Sequence, residues 1–209
     1  MKKIGSFLMS LAAVGLLAAC GTSKPSPKGK KVEEDNFYET AKAVQEHTYS
    51  KATATAEIKV DGDAPVGEEF KPGKVTAEFR NEGGNWITDS QDQTIMMATE
   101  YVGQKVGPVV EELVYANEHM EETSMGRVFA DGLESDVTYY TAPLGVKLTV
   151  TGSYNASGVS AKVDSYGLAE FDQYGFTTRL YSEVNYSMSA GGQSMKFSII
   201  QDVTITYVD

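Results

Sequence analysis

From Lys51 to Val60 the chain alternates strictly: Ala52, Ala54, Ala56, Ile58 and Val60 interleave with Lys51, Thr53, Thr55, Glu57 and Lys59. A period of two over this length predicts a strand with one buried face. The buried side opens on alanines only, so another element, such as a helix, is expected to approach that end closely. The same period returns in Val75, Ala77 and Phe79. After Gly83-Gly84 the segment NWITD predicts a hairpin return.

Two stretches follow a helical period instead. Phe37, Ala41, Val44 and Thr48 share one face of a helix expected over 37–48, with Asn36 as its cap and Glu39 as the capping-box partner. Between Gln91 and Glu122 the beta pattern breaks. Pro108 suits a first helical position, where its missing N–H costs nothing. Val109, Val110, Leu113, Val114 and Asn117 continue a stripe from it. A shorter helix is expected around Thr94 to Tyr101.

From Met125 onward the pattern is beta again, through GRVFADG, DVTYYT, VKLTVTGSYN, GVSAKVDSYG and LAEFD into two long final strands. Gly191-Gly192 predicts a two-residue hairpin turn of the primed kind. Folding there sets Met188 against Met195, Tyr186 against Phe197, Val184 against Ile199, Leu180 against Val203 and Phe176 against Tyr207. The other face pairs Ser187 with Lys196, Asn185 with Ser198, Arg179 with Thr204 and Thr177 with Thr206. One register sorts nearly the whole hairpin, as a sheet with one buried face requires. Ser182 and Gln201 meet on the apolar side, either bonded to each other or lining a wet cavity. Ile200 falls on the wet side. FDQYGF supplies the preceding turn, so 159–208 reads as a meander.

The N-terminus has a different logic. Lys2 and Lys3 precede an uncharged, mostly apolar run from Ile4 to Ala19. A basic start, an apolar run and small residues at its end are the layout of a signal peptide. Leu17-Ala18-Ala19-Cys20 resembles the bacterial lipobox. That resemblance implies cleavage between Ala19 and Cys20, thioether lipidation of Cys20 and acylation of the new N-terminus. Residues 21–31, rich in Ser, Pro, Gly and Lys, read as an extended flexible tether. Lys24, Lys28, Lys30 and Lys31 would lie near anionic headgroups, contributing about 1 kcal/mol each at the surface. The organisation expected is a signal peptide over 1–19, a lipidated cysteine with its tether over 20–35 and a single domain over 36–209.

Composition narrows the picture. The 209 residues carry 18 Lys+Arg against 29 Asp+Glu, which makes nucleic acid a poor partner. Cys20 is the one cysteine, so no disulfide forms within the chain. No nucleophile elbow, zinc helix, phosphate loop or dinucleotide fingerprint is present. Asp61, Asp63, Glu68 and Glu69 form an acidic loop without EF-hand spacing and read as a solvated turn rather than a calcium site. His47 and His119 are expected near helix ends as surface residues. Glu111-Glu112 and Glu121-Glu122 read as wet helix faces or loops. No cofactor, no metal site and no catalytic residue is assigned, and the chain is not read as an enzyme.

The order of lipobox, tether, helix, strands, helical insertion and long meander resembles the half-barrel lipoproteins of the LolA/LolB and LppX/LprG kind. Phrases such as AEFDQYGFTTRL and YSMSAGGQSMKFSI are similar to those of bacterial lipoproteins with Met-rich final hairpins. The resemblance implies an α+β fold: a curved, mostly meandering antiparallel half-barrel packed against two or three helices, with acyl chains held between sheet and helices. Val184, Tyr186, Met188, Met195, Phe197 and Ile199 are the candidate apolar ligand-binding residues, the methionines being flexible and polarizable. Two readings stand. One is a lipid-anchored extracytoplasmic protein of the cell membrane that binds or carries a lipid-like ligand, exchanged through the 89–125 region. The other is a tethered scaffold with a filled core that engages an envelope protein.

Overall fold

The computed structural model describes residues 24–62, 72–119, 129 and 132–209. Among them run β1 (Lys30–Val32), α1 (Glu34–Lys42), β2 (Lys51–Gly62), β3 (Gly73–Glu82), β4 (Asn85–Ile87), α2 (Gln93–Thr99), α3 (Val106–Glu118), β5 (Leu133–Thr141), β6 (Gly145–Ala156), β7 (Val159–Phe171), β8 (Thr177–Ala190) and β9 (Gln193–Val208). The nine strands form one open antiparallel sheet in the order β1-β5-β6-β7-β8-β9-β2-β3-β4. The α+β class expected from the pattern is therefore present, with three helices packed on the sheet.

The long meander forms because each strand alternates and each turn has its chemistry. Ala190 pairs with Gln193 across Gly191 and Gly192, whose φ angles of +58° and +80° suit a type I′ turn. The register is the one the alternation predicts: Met188 opposite Met195, Tyr186 opposite Phe197, Val184 opposite Ile199, Leu180 opposite Val203. Ser182 Oγ donates to Gln201 Oε1 at 3.3 Å, so the buried polar pair satisfies itself. The β8–β9 ladder begins only at Arg179–Thr204. Thr177 spends its N–H on the Gln104 carbonyl instead of on Thr206. The Phe176 and Tyr207 rings still meet, at 5.3 Å between centroids. The stretch read as two strands, GVSAKVDSYG and LAEFD, is the single strand β7.

One face of the sheet carries the main core, which α1, α2 and α3 complete with Phe37, Ile95, Ala98, Val109, Val110 and Leu113. The alanines of β2 are covered by α2, whose Ile95 and Ala98 are fully buried. That is the close approach their small size predicts. α2 is capped by Asp92, which accepts the Thr94 N–H at 2.8 Å.

Three helix boundaries differ from the pattern. α1 begins at Glu34 with Glu33 at the cap position, so Asn36 lies inside the helix and only its carbonyl is used, by Thr40 Oγ1. The helix ends at Lys42 with Ala43 as its cap, placing His47 and Thr48 in the following link. α3 starts at Val106, which makes Pro108 its third residue; the missing N–H is still one that has no intrahelical partner. Of GRVFADG, Arg127, Val128, Ala130 and Asp131 lie outside the described residues with Gly126, and Phe129 is buried against Tyr186 rather than laddered in the sheet.

The outer face has a smaller apolar cluster of Tyr166, Leu168 and Tyr181 with Ile200 packed beside it. The segment expected as a free tether lies across this face. Lys24 Nζ bonds Asp164 at 2.6 Å, the Pro25 carbonyl accepts the Tyr166 hydroxyl, and Lys28 Nζ reaches the buried Glu170 carboxylate at 3.1 Å. Lys30–Val32 then pairs with Tyr139–Thr141 as the edge strand β1. Gly29 fits because an added Cβ would stand 2.4 Å from the Pro143 carbonyl.

Candidate functional site

The inner face of the final hairpin is where the sequence places its candidate ligand residues. Val184, Tyr186, Phe197 and Ile199 are all buried, in one cluster with the helical core residues. Phe129 meets Tyr186 edge-on at 6.2 Å between ring centroids. Met188 and Met195, toward the turn, are only half-buried. The six candidates therefore do lie on one continuous face, four of them buried within the core and the two methionines packed against it at its margin. Ala19 and Cys20 lie outside the described residues, as do Asp63, Glu68 and Glu69. Asp61 is exposed and accepts the Gly62 N–H.

A cleft of about 500 Å3 opens beside the base of that hairpin. Its wall is mixed: Glu134, Lys162, Asp164 and Asn185 stand beside Gly152, Val163 and Tyr186. Asn185 donates to Glu183 Oε1 at 2.7 Å, while its own oxygen is buried without a partner.

Two further groupings escape the sequence patterns. At the far end of the sheet His47, Tyr49, Trp86, Tyr174, Phe176 and Tyr207 stack together. His47 lies on Tyr174 at 4.1 Å, Tyr49 on Tyr207 at 5.0 Å, and Trp86 meets Tyr207 edge-on at 5.7 Å. Tyr49 donates to Asp172 at 2.8 Å, and burial with that carboxylate raises its pKa above the ordinary phenol value. Lys105 sits 3.7 Å from the Phe176 ring centre and donates to the Tyr174 carbonyl. His47 bonds Asp209 at 2.8 Å. These are aromatic residues scattered over the chain, so no local motif signals them.

The second grouping is acidic. Glu112, expected on a wet helix face, is half-buried, and burial together with Glu100 pushes its carboxyl up to about 7. Burial also raises Glu100. One oxygen of Glu112 is buried without a hydrogen-bond partner. The Tyr101 hydroxyl lies near both, and burial and the two carboxylates raise its pKa. Among the described residues no group of three or more His, Cys, Asp or Glu side chains is arranged to hold a metal ion. No helix among them is long and apolar enough to cross a membrane. His119 stacks on Tyr115 at the end of α3, at 4.0 Å.

Comparison with protein-family models, with curated proteins and with solved structures found no match to this chain.

Proposed function

We propose that the chain is a lipid-anchored, extracytoplasmic lipoprotein of the cell membrane whose half-barrel-like domain is a non-catalytic interaction module with a filled core. The anchor rests on the layout of residues 1–20, in which a basic start and an apolar run end in Leu17-Ala18-Ala19-Cys20. The observation that carries the choice of module over lipid carrier is the burial of Val184, Tyr186, Phe197 and Ile199 among helical side chains. Space for acyl chains would have to be opened there by moving the helices, at the cost of contacts worth roughly 1.5–3 kcal/mol per large side chain.

The lipid-carrier reading keeps one specific support, the half-buried Met188 and Met195 at the margin of the same face. The two readings part in one experiment. The full chain, processed in bacteria and purified in detergent, is examined by native mass spectrometry before and after organic extraction. The module predicts a single mass, that of the acylated chain, and reproducible crosslinks to one envelope protein in intact membranes. An additional extractable lipid of fixed stoichiometry, beyond the covalent acyl groups, would reverse the choice.

A further inference from the structure

The four strands β6 to β9 run on past their neighbours. β5 stops where Leu133 pairs with Gly152, and β2 where Gly62 pairs with Phe197. Among the described residues, beyond that row lie Gly132, which accepts the Ser153 N–H, and the tips of two hairpins, 153–162 and 187–196, joined through the β7–β8 pairing down to Val159–Ala190. They form a tongue projecting from one end of the sheet.

The chemistry of this tongue differs from the rest of the molecule. Its only charged residues are Lys162 and Lys196, in a chain where 22% of residues are charged and acidic groups predominate. The row at its base holds carboxylates instead: Glu134, Asp164 and Asp61 stand in register with Thr151, Asn185 and Ser198. The tongue is also two-faced. Pairing puts Tyr154, Val159, Met188 and Met195 on the inner face, and Ser160, Lys162, Ser189 and Lys196 on the outer one. Tyr154 is 38% exposed, and Val159, Met188 and Met195 are incompletely covered.

The N-terminal strap, on the outer face, points to the same end of the sheet. It runs along β7 with Lys28 at Glu170 and Lys24 at Asp164, so toward the N-terminus it heads for the tongue. Four residue steps separate Lys24 from Cys20, a reach of at most about 14 Å. From Asp164 to the tip at Val159 is five strand residues, about 17 Å. A lipid on Cys20 can therefore reach the base of the tongue though not its tip.

We infer that the tongue rests in the bilayer interface, with Tyr154, Val159, Met188 and Met195 toward the acyl boundary and Lys162 and Lys196 at headgroup phosphates. This inference rests on the anchor reading above. Tyrosine suits such a boundary, having an apolar body and a polar tip, and lysine stems reach from apolar surroundings to the headgroups. The two lysines are the tongue's only charges, and the carboxylates at its base disfavour a closer approach of the rest of the domain to anionic lipid.

The test uses the full chain, processed in bacteria and reconstituted into phosphatidylcholine–phosphatidylglycerol vesicles. A mass measurement first establishes that Cys20 is acylated. An environment-sensitive fluorophore is then attached in separate variants at Asn155→Cys, Ser194→Cys and, at the opposite end, Gln173→Cys, all exposed positions. The expected result is severalfold stronger quenching by a lipid-borne nitroxide at 155 and 194 than at 173. Equal quenching at all sites, with Cys20 acylated, overturns the inference and leaves the anchor standing. Protection of 155 and 194 from aqueous iodide without lipid quenching also overturns it, because a protein then covers the tongue. A chain that is not acylated removes the anchor reading and the inference with it.

Discussion

The two ends of the sheet are built on opposite principles. The end with the β7–β8 turn is closed by six aromatic or imidazole rings, each tied to a neighbour by stacking or by a hydrogen bond. The other end is the tongue, with almost no charge, small outer residues and an inner face that nothing among the described residues fully covers. The first is an end whose side chains find their partners within the chain. The second has the composition of a surface that finds its partner elsewhere. Length alone does not distinguish them, since the same strands run into both.

This contrast is broken most directly at Gly103. Its φ of +82° is unfavourable for any other residue, and an added Cβ would lie 1.9 Å from the Trp86 indole nitrogen. Gly103→Ala is expected to cost about 3 kcal/mol or more, from backbone strain and displacement of Trp86 together. Urea denaturation of the variant measures it, and an unchanged midpoint would show that the aromatic end does not hold the fold. Asp172→Ala removes the acceptor for the Tyr174 and Phe176 N–H groups and for the Tyr49 hydroxyl. About 2–3 kcal/mol is expected, with the same readout.

Glu112 supplies a pH signature independent of both ends. Its folded-state pKa of about 7 stands above the ordinary 4.5, so the native state keeps a proton that the unfolded chain releases. The contribution is whole below about 4.5 and is lost as pH rises through 7. Because Glu112 is only half-buried, screening reduces it to about 1 kcal/mol. Glu112→Gln should flatten stability between pH 5 and 8, checked by thermal unfolding across that range.

The strap joins the two descriptions. Lys28→Met removes the cation beside Glu170, whose carboxylate is buried while the lysine is itself 68% exposed. A loss of about 1 kcal/mol is expected, together with faster proteolysis near residues 24–28. The smallest effect belongs to the tongue. Asn155→Ser and Ser194→Thr should move the unfolding midpoint by less than about 0.5 kcal/mol, as exposed sites without structural partners do. A larger loss there would mean that the tongue, too, is held from within.

Much of this was legible along the chain where neighbours in sequence are neighbours in space. The final hairpin is the clearest case, since a Gly-Gly turn and an alternating pattern leave a single register that buries Val184, Tyr186, Phe197 and Ile199 together. The alanines at 52, 54 and 56 announced a close approach without saying that α2 makes it. Asn36 and Glu39 fit a capping box, yet α1 starts at Glu34, three residues before the start they suggest, with Phe37 inside it and 5.2 Å from Tyr139 between ring centroids. The strap was invisible along the chain. Its Pro and Lys composition signals disorder, and only a distant face carrying Asp164, Tyr166 and Glu170 gives it partners.

By itself, the sequence determined the period of each strand, the turn at Gly191-Gly192, the pairing within the last hairpin and the expectation of an anchor at Cys20. Those depend on covalent spacing and local backbone preference. The tertiary structure alone decided that the candidate ligand face is mostly filled, that the aromatic rings gather at one end, and that the strap runs toward the other. Each of these joins residues far apart in the chain, and their energies come from burial and charge pairing that no local pattern records.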